Sequence, residues 1–291
     1  MPINGPVPAW LFSGMMTLTL WVVMFHLGLA IVAAELRPVL AQPLRLLKGL
    51  FAVLIAVPAL ALVVCKNFDL GRSAEIGIVL MSISPGAPVA LRRSIKAGGH
   101  RSYATALQIT VSLLVVFSMP GWIWAMDRMY DLEAQIDPQH LARQVFFAQL
   151  LPLGLGILLR QTAPQWVKWL QPKLAPLTTG LLLIVVPLAI FNIWEVVIGE
   201  NWRVIVAVAL ITLLALTIGH LLGGPDPATR TATAIASAAR NPGLALLVAS
   251  LNGARAEVIA AVLAYFIVSA ITVLPYVTWR RRLISPPSNP A

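Results

Sequence analysis

The sequence predicts an all-α polytopic membrane protein of about nine transmembrane helices, arranged as an inverted repeat with two crossing discontinuous helices. Composition is the first sign: 59% of the 291 residues are hydrophobic, only 11% are charged, and the mean hydropathy of +0.85 exceeds what a soluble core requires. Segmentation is the second, because about 20 apolar residues cross the hydrocarbon and the chain is divided into such stretches by short polar connections. The third is a pair of interruptions. Residues 75–88 and 231–244 are apolar segments broken by a Pro-Gly step among polar residues, at matching places in the two halves. In a membrane protein such a pair points to a binding site at the bilayer midplane, between discontinuous helices.

The spans are read in order as follows. The first, 9–34, follows eight residues without a basic region, so no targeting segment is expected ahead of it. Next come 49–65, then 73–97 broken at Pro85-Gly86, then 101–127. The longest polar connection, 127–140, closes a first repeat of residues 1–140. The second repeat, 141–291, opens with an extra helix at 143–161 and continues with 174–198, 203–222, 227–251 broken at Pro242-Gly243, and 255–279. The first four spans correspond in order to the last four. With 143–161 between the groups, partners run in opposite directions, which is an inverted repeat.

Charge supports the same topology. The net charge of +10 does not indicate nucleic acid, because Lys and Arg are not gathered in one segment interleaved with aromatics. They sort by loop instead. Arg37, Arg45, Lys48, Arg92, Arg93, Lys96, Arg101, Arg160, Lys168, Lys173, Arg230 and Arg280 to Arg282 fall on one side, which the positive-inside rule makes cytoplasmic. An integral protein of a bacterial inner (plasma) membrane is expected, with the N-terminus outside, the C-terminus cytoplasmic and the lipid bilayer as its surroundings. Trp10, Trp122, Trp124, Trp166, Trp169, Trp194, Trp202 and Trp279 fall near span ends as interfacial anchors, and Trp21 alone lies well inside a span. The single cysteine, Cys65, excludes an intramolecular disulfide and is read as a buried small hydrophobe. No nucleophile triad, zinc, phosphate-loop or dinucleotide signature is present, so the sequence supports neither an enzyme nor a cofactor. Oligomeric state is left open, and a monomer is compatible with everything above.

Within each broken span, Pro removes an amide donor and Gly frees the backbone. The released carbonyls and amides cannot face lipid. The second half-helices, starting after Pro88 and Pro242, present amide ends that suit an anion, and the first halves present carbonyl ends that suit a cation.

At these residues the chain resembles the bile acid sodium symporter family. The likeness runs from Met24 to Leu29 through Ser84-Pro85-Gly86-Ala87, similar to the family's Cys-Pro-Gly-Gly step. It extends to Ile235 to Ala245, similar to its Ile-Glu-x-Gly-x-Gln-Asn-Ser-Gly-Leu-Ala segment. The resemblance implies a panel domain, a core domain built on two crossing broken helices, and alternating access. It also implies that Asn241 and Gly243 are kept, whereas the family's sodium-ligand positions hold Val57, Ala90, Leu91, Ala236 and Arg240. Such a set gives sodium no oxygen cage from side chains. Arsenite carriers and cation/proton antiporters are disfavoured, because no cysteine or carboxylate stands in either break.

Arg240 is the sharpest residue. An Arg at membrane depth costs at least roughly 2.5 kcal/mol and is functional by default. Two readings stand side by side: a built-in cation at a carbonyl helix end, or a partner to a buried acid or to capped carbonyls. His26 is read either as a titratable group or as a hydrogen-bonded packing residue. Gln108, with Thr105 and Thr110, falls near the sodium-ligand helix, and helix packing is the competing role. Ser82, Ser84 and Ser237 are candidate substrate contacts, as are Gly86, Ala87 and Pro88 at the first break. The expected function is transport of a small or amphipathic organic anion, with Arg240 in place of sodium. A transport-inactive sensor or scaffold of the same fold is the alternative.

An odd number of spans places the termini on opposite sides. A green fluorescent protein fused to the C-terminus is expected to fluoresce in a bacterial host and an N-terminal fusion is not; equal fluorescence from both refutes the odd count.

Overall fold

A computed structural model describes residues 9–32, 42–86, 88–130, 137–192 and 202–284. Glu35, Arg37, Ala87, Trp194, Glu195 and both chain ends lie outside these residues. The described chain is helical throughout: α1 (Ala9–Ala30), α2 (Pro43–Phe51, a widened π turn at Ala52–Ala56, then Val57–Phe68), α3 (Arg72–Ser82), α4 (Pro88–Lys96) and α5 (Arg101–Tyr130). Then come α6 (Pro138–Val145, a π turn at Phe146–Leu150, then Leu151–Thr162), α7 (Pro164–Asn192), α8 (Trp202–Leu222), α9 (Pro227–Ala238), α10 (Pro242–Leu251), α11 (Ala256–Thr272) and α12 (Leu274–Ile284). Among the described residues, six helices are long and apolar enough to cross a membrane, and Gly14–Ala30 is a shorter apolar helix. The protein is a polytopic membrane protein.

Boundaries differ from expectation where charge interrupts the apolar pattern. Span 49–65 becomes Pro43–Phe68, because Arg45 and Lys48 occupy its first turns. Residues 164–173, placed ahead of span 174–198 on sequence, are helical too. There Lys173 lies 3.4 Å from the centroid of the Trp169 ring, and Trp166 packs edge-on against Trp169, so exposed aromatics and cations share one interfacial turn.

Caps fix the helix starts. Asp137 accepts from the amides of Gln139 and His140, and Asp226 from Thr229. Burial acts to raise the Asp226 carboxyl, but amide bonds from Thr229 and Ala228 prevail and hold it below the usual carboxylate range. Glu75, in the first turn of α3, is partly shielded and pairs with Arg72 at 3.6 Å.

Helix packing is continuous through the described chain, with α5 in contact with both α6 and α9. α1 lies against α6, α7 and α10, while α3 packs on α11 and α2, and α8 on α9, α11 and α2. The α1–α6 contact is close because Gly28 and Gly156 face each other: a Cβ on Gly28 would stand 2.9 Å from the Gly156 Cα and against the Leu153 carbonyl. Small residues permit this approach, and dispersion between the backbones holds it in lipid. At the other end α12 is tied down by Arg280, which donates to Thr231 Oγ1 at 2.7 Å and the Pro227 carbonyl at 2.8 Å. His220, in the last turn of α8, meets the Tyr276 hydroxyl at 2.8 Å.

Gly156→Val is therefore expected to push α1 from α6 and to destabilise the protein by about 1–3 kcal/mol, read as a lower melting temperature in detergent. An unchanged melting temperature would show that the contact tolerates a side chain.

Candidate functional site

The site is built where helices stop. α3 ends at Ser82 because Pro85 disfavours helical backbone at the residue before it. The Ser82 and Ser84 hydroxyls turn back to the Val79 and Leu80 carbonyls, both at 2.7 Å. Gly86 then takes φ +86°, a left-handed conformation that glycine adopts freely, and α4 starts with Pro88 in its first turn. α9 ends at Ala238, followed by extended Ala239, and Asn241 caps α10 by accepting from the Leu244 amide at 3.2 Å. The two breaks touch: the Asn241 amide donates to the Ser84 carbonyl at 2.7 Å.

A second device lies in α2. In its π turn the Val57 amide reaches back five residues to the Ala52 carbonyl, so the next carbonyl in that register, Val53, faces Pro58, which has no N–H. Arg240 takes that carbonyl. Its Nη1 donates to Val53 at 3.0 Å and to Ser82 at 2.7 Å, and its Nη2 donates to Ser237 at 2.7 Å. The side chain is 3% exposed. Among the described residues no carboxylate pairs with it. Its counter-charge is the carbonyl ends of α3 and α9, each equivalent to roughly half a negative charge. The fully buried Tyr265 hydroxyl lies beside the guanidinium, near enough to interact with it yet outside strict hydrogen-bond geometry; Arg240 Nε is likewise without an acceptor among the described residues.

The structure brings most sequence-predicted residues to this crossing. Gln108 Nε2 donates to the Gly86 carbonyl at 2.7 Å and lies 3.5 Å from Ser112 Oγ, so its amide stitches α5 to the first break. Ser237 lends its carbonyl to Arg240, while its buried hydroxyl is turned toward Gly219 of α8. Asn241 has a buried Nδ2 with no acceptor among the described residues. Gly243, at the first turn of α10, approaches Leu20 of α1. Thr110 bonds within its own helix, to Ala106. His26 is not at the crossing: it meets Thr178 Oγ1 at 3.4 Å, linking α1 to α7. Ala87 is outside the described residues.

Sequence reasoning missed the carbonyl cage itself, since Val53 and Ser82 act through the backbone; Pro58, five residues after Val53, was the available signal. It also missed Trp122, whose indole donates to the Leu54 carbonyl at 2.8 Å. Val57 and Ala236 supply no oxygen ligand from their side chains, and the converging carbonyls are already bonded to a guanidinium. Among the described residues no group of three or more His, Cys, Asp or Glu gathers to hold a metal.

Comparison with known proteins matches residues 17–201 to the Sodium Bile acid symporter family, a region that includes the first break and stops before the second. A probable sodium/metabolite cotransporter of the Arabidopsis thaliana chloroplast is 22% identical over 85% of this chain and 60% of its own length. An uncharacterized sodium-dependent transporter of Bacillus subtilis is 22% identical over 51% of this chain and 45% of its own length. The P3 protein of Mus musculus is 22% identical over 64% of this chain and 40% of its own length. The chain thus spans about half the length of these relatives.

Arg240→Met, which leaves three buried carbonyls without their donor, is expected to cost roughly 3 kcal/mol or more, and Arg240→Lys less, because one ammonium keeps the charge but not the fork. Thermal denaturation in detergent measures both, and a Met variant as stable as the parent would contradict the cage.

Proposed function

The chain belongs to the sodium bile acid symporter family, and from that membership we propose that it is a secondary transporter of a small or amphipathic organic anion, working by alternating access without sodium coupling. The observation that carries this reading is the seat of Arg240. Three carbonyls from three helix breaks form the oxygen cage a monovalent cation would take, and a guanidinium fixed to the chain fills it. A tethered cation supplies the charge but cannot dissociate, so no sodium gradient does work through this site.

In this reading the two repeats, 1–140 and 141–291, meet at the Asn241 to Ser84 bond. The core consists of α2 to α5 and α8 to α11, and α1, α6 and α7 form the panel that rocks against it. The amide ends of α4 and α10 face the anionic head of the cargo, with Gly86, Ala87, Pro88, Asn241 and Gly243 at their starts. Ser84, Ser237 and Gln108 shape the crossing, and Arg240 acts on the cargo through the field it sets there. The cargo's apolar body lies among Ala, Leu and Val side chains. Coupling is then absent, or is to protons through a residue such as His26, which lies within electrostatic reach of Arg92 on α4. The protein works in a bacterial inner membrane, with the C-terminus cytoplasmic.

The alternative is a transport-inactive sensor of the same fold. It draws support from the same fixed cation, which leaves the protein without a coupling ion. Uptake by proteoliposomes separates the two.

Detergent-purified protein is expected to gain melting temperature from a cargo anion equally in sodium and potassium buffers of matched ionic strength. Stabilisation by taurocholate, pantoate or pyruvate that appears only with sodium would sink the account of Arg240 as resident cation.

A further inference from the structure

Gln149 is fully buried, and neither its amide oxygen nor its nitrogen has a hydrogen-bond partner among the described residues. A buried carboxamide with both ends unmet is a standing cost that a leucine in its place would not carry. It stands in the π turn of α6, which repeats the device of α2: the Leu151 amide reaches back to Phe146, and the next carbonyl in that register, Phe147, faces Pro152. The Trp21 indole takes the Phe147 carbonyl at 3.0 Å. Gln149 is left over.

Its position is bounded by α1 and α5, both of which pack on this π turn. Trp21 touches Phe147, two residues before Gln149, and the adjacent Leu20 comes within 3.8 Å of where a Cβ on Gly243 would stand, two residues past Asn241. Asn252 Nδ2 donates to Gln144 Oε1 at 3.0 Å and ties the far end of α10 to the start of α6. One turn of α1 is thus flanked by the π turn on one side and by the second break on the other. Each flank carries a buried amide in want of a partner, Gln149 and Asn241.

We propose that Gln149 lines the substrate path on the α6 side and reads the cargo's body. Its carboxamide offers a donor and an acceptor to a hydroxyl or keto oxygen standing apart from the anionic head. The inference deepens the transporter reading and rests on it.

The test is ligand-free. In a Cys65→Ala background, Gln149→Cys in proteoliposomes is treated with a membrane-impermeant methanethiosulfonate, beside Ala148→Cys as its buried neighbour and Gly243→Cys as a reporter of the break. Gln149→Cys is expected to react at least tenfold faster than Ala148→Cys. Equal rates overturn the proposal. If Gly243→Cys reacts and Gln149→Cys does not, Gln149 alone is misassigned; if neither reacts, the transporter reading falls with it. Gln149→Leu adds a second readout: its melting temperature without ligand is expected to equal or exceed the parent's, and a clear fall assigns Gln149 a structural role and overturns the proposal.

Discussion

A backbone carbonyl inside hydrocarbon must find a donor, and the arrangement of this protein depends on how that is met at its helix breaks. Proline creates the demand. Pro58 strands Val53, Pro152 strands Phe147, and the ends of α3 and α9 strand Ser82 and Ser237. Side chains supply the donors, mostly from other segments: Arg240 for three of these carbonyls, one of them its own neighbour Ser237, Trp21 for Phe147 and Gln108 for Gly86, with the Asn241 amide closing the contact between breaks. Each irregularity is thereby a point where distant segments are fastened together.

Arg240 is unusual in being buried with no carboxylate partner among the described residues. A carboxylate partner would neutralise it, at the cost of desolvating a second ion. Two helix ends provide about the same negative charge with dipoles already fixed in place, and the guanidinium fork reaches three carbonyls that a lysine's single ammonium would not span as well. The price is an Nε and a Tyr265 hydroxyl left imperfectly met.

The fold was legible in the sequence where the physics is carried by side-chain type. Pro85-Gly86 and Pro242-Gly243 marked both breaks, and apolar runs marked the helices that cross the membrane. Legibility failed where the backbone acts. Nothing in the identity of Val53 or Ser82 announces a carbonyl aimed at Arg240, although Pro58 announces that some carbonyl is free. The serines at 82 and 84 read as candidate contacts, yet their hydroxyls bond their own helix, as Ser in a membrane helix often does. The amphipathic start of α7 was passed over because Lys168 and Lys173 dilute its hydropathy while lying where an interface accepts them.

Fixing the cation also decides where the molecule is stiff. Arg240 binds α2, α3 and α9 into one body, and the Asn241 amide joins the breaks within it. α1, α6 and α7 are joined separately, through Gly28 against Gly156, Trp21 to Phe147 and His26 to Thr178. Across the seam the contacts of α1 with α10 include Leu20 against Gly243, which slide without breaking a hydrogen bond, and the Asn252 to Gln144 bond lies where α10 ends. The two groups are thus tied internally by polar contacts, and between them run the apolar packing of α1 on α10, the packing of α5 on α6 and the one Asn252 to Gln144 bond. The Gln149 carboxamide and the Asn241 Nδ2, buried and without a partner among the described residues, flank the turn of α1 that packs between α6 and α10.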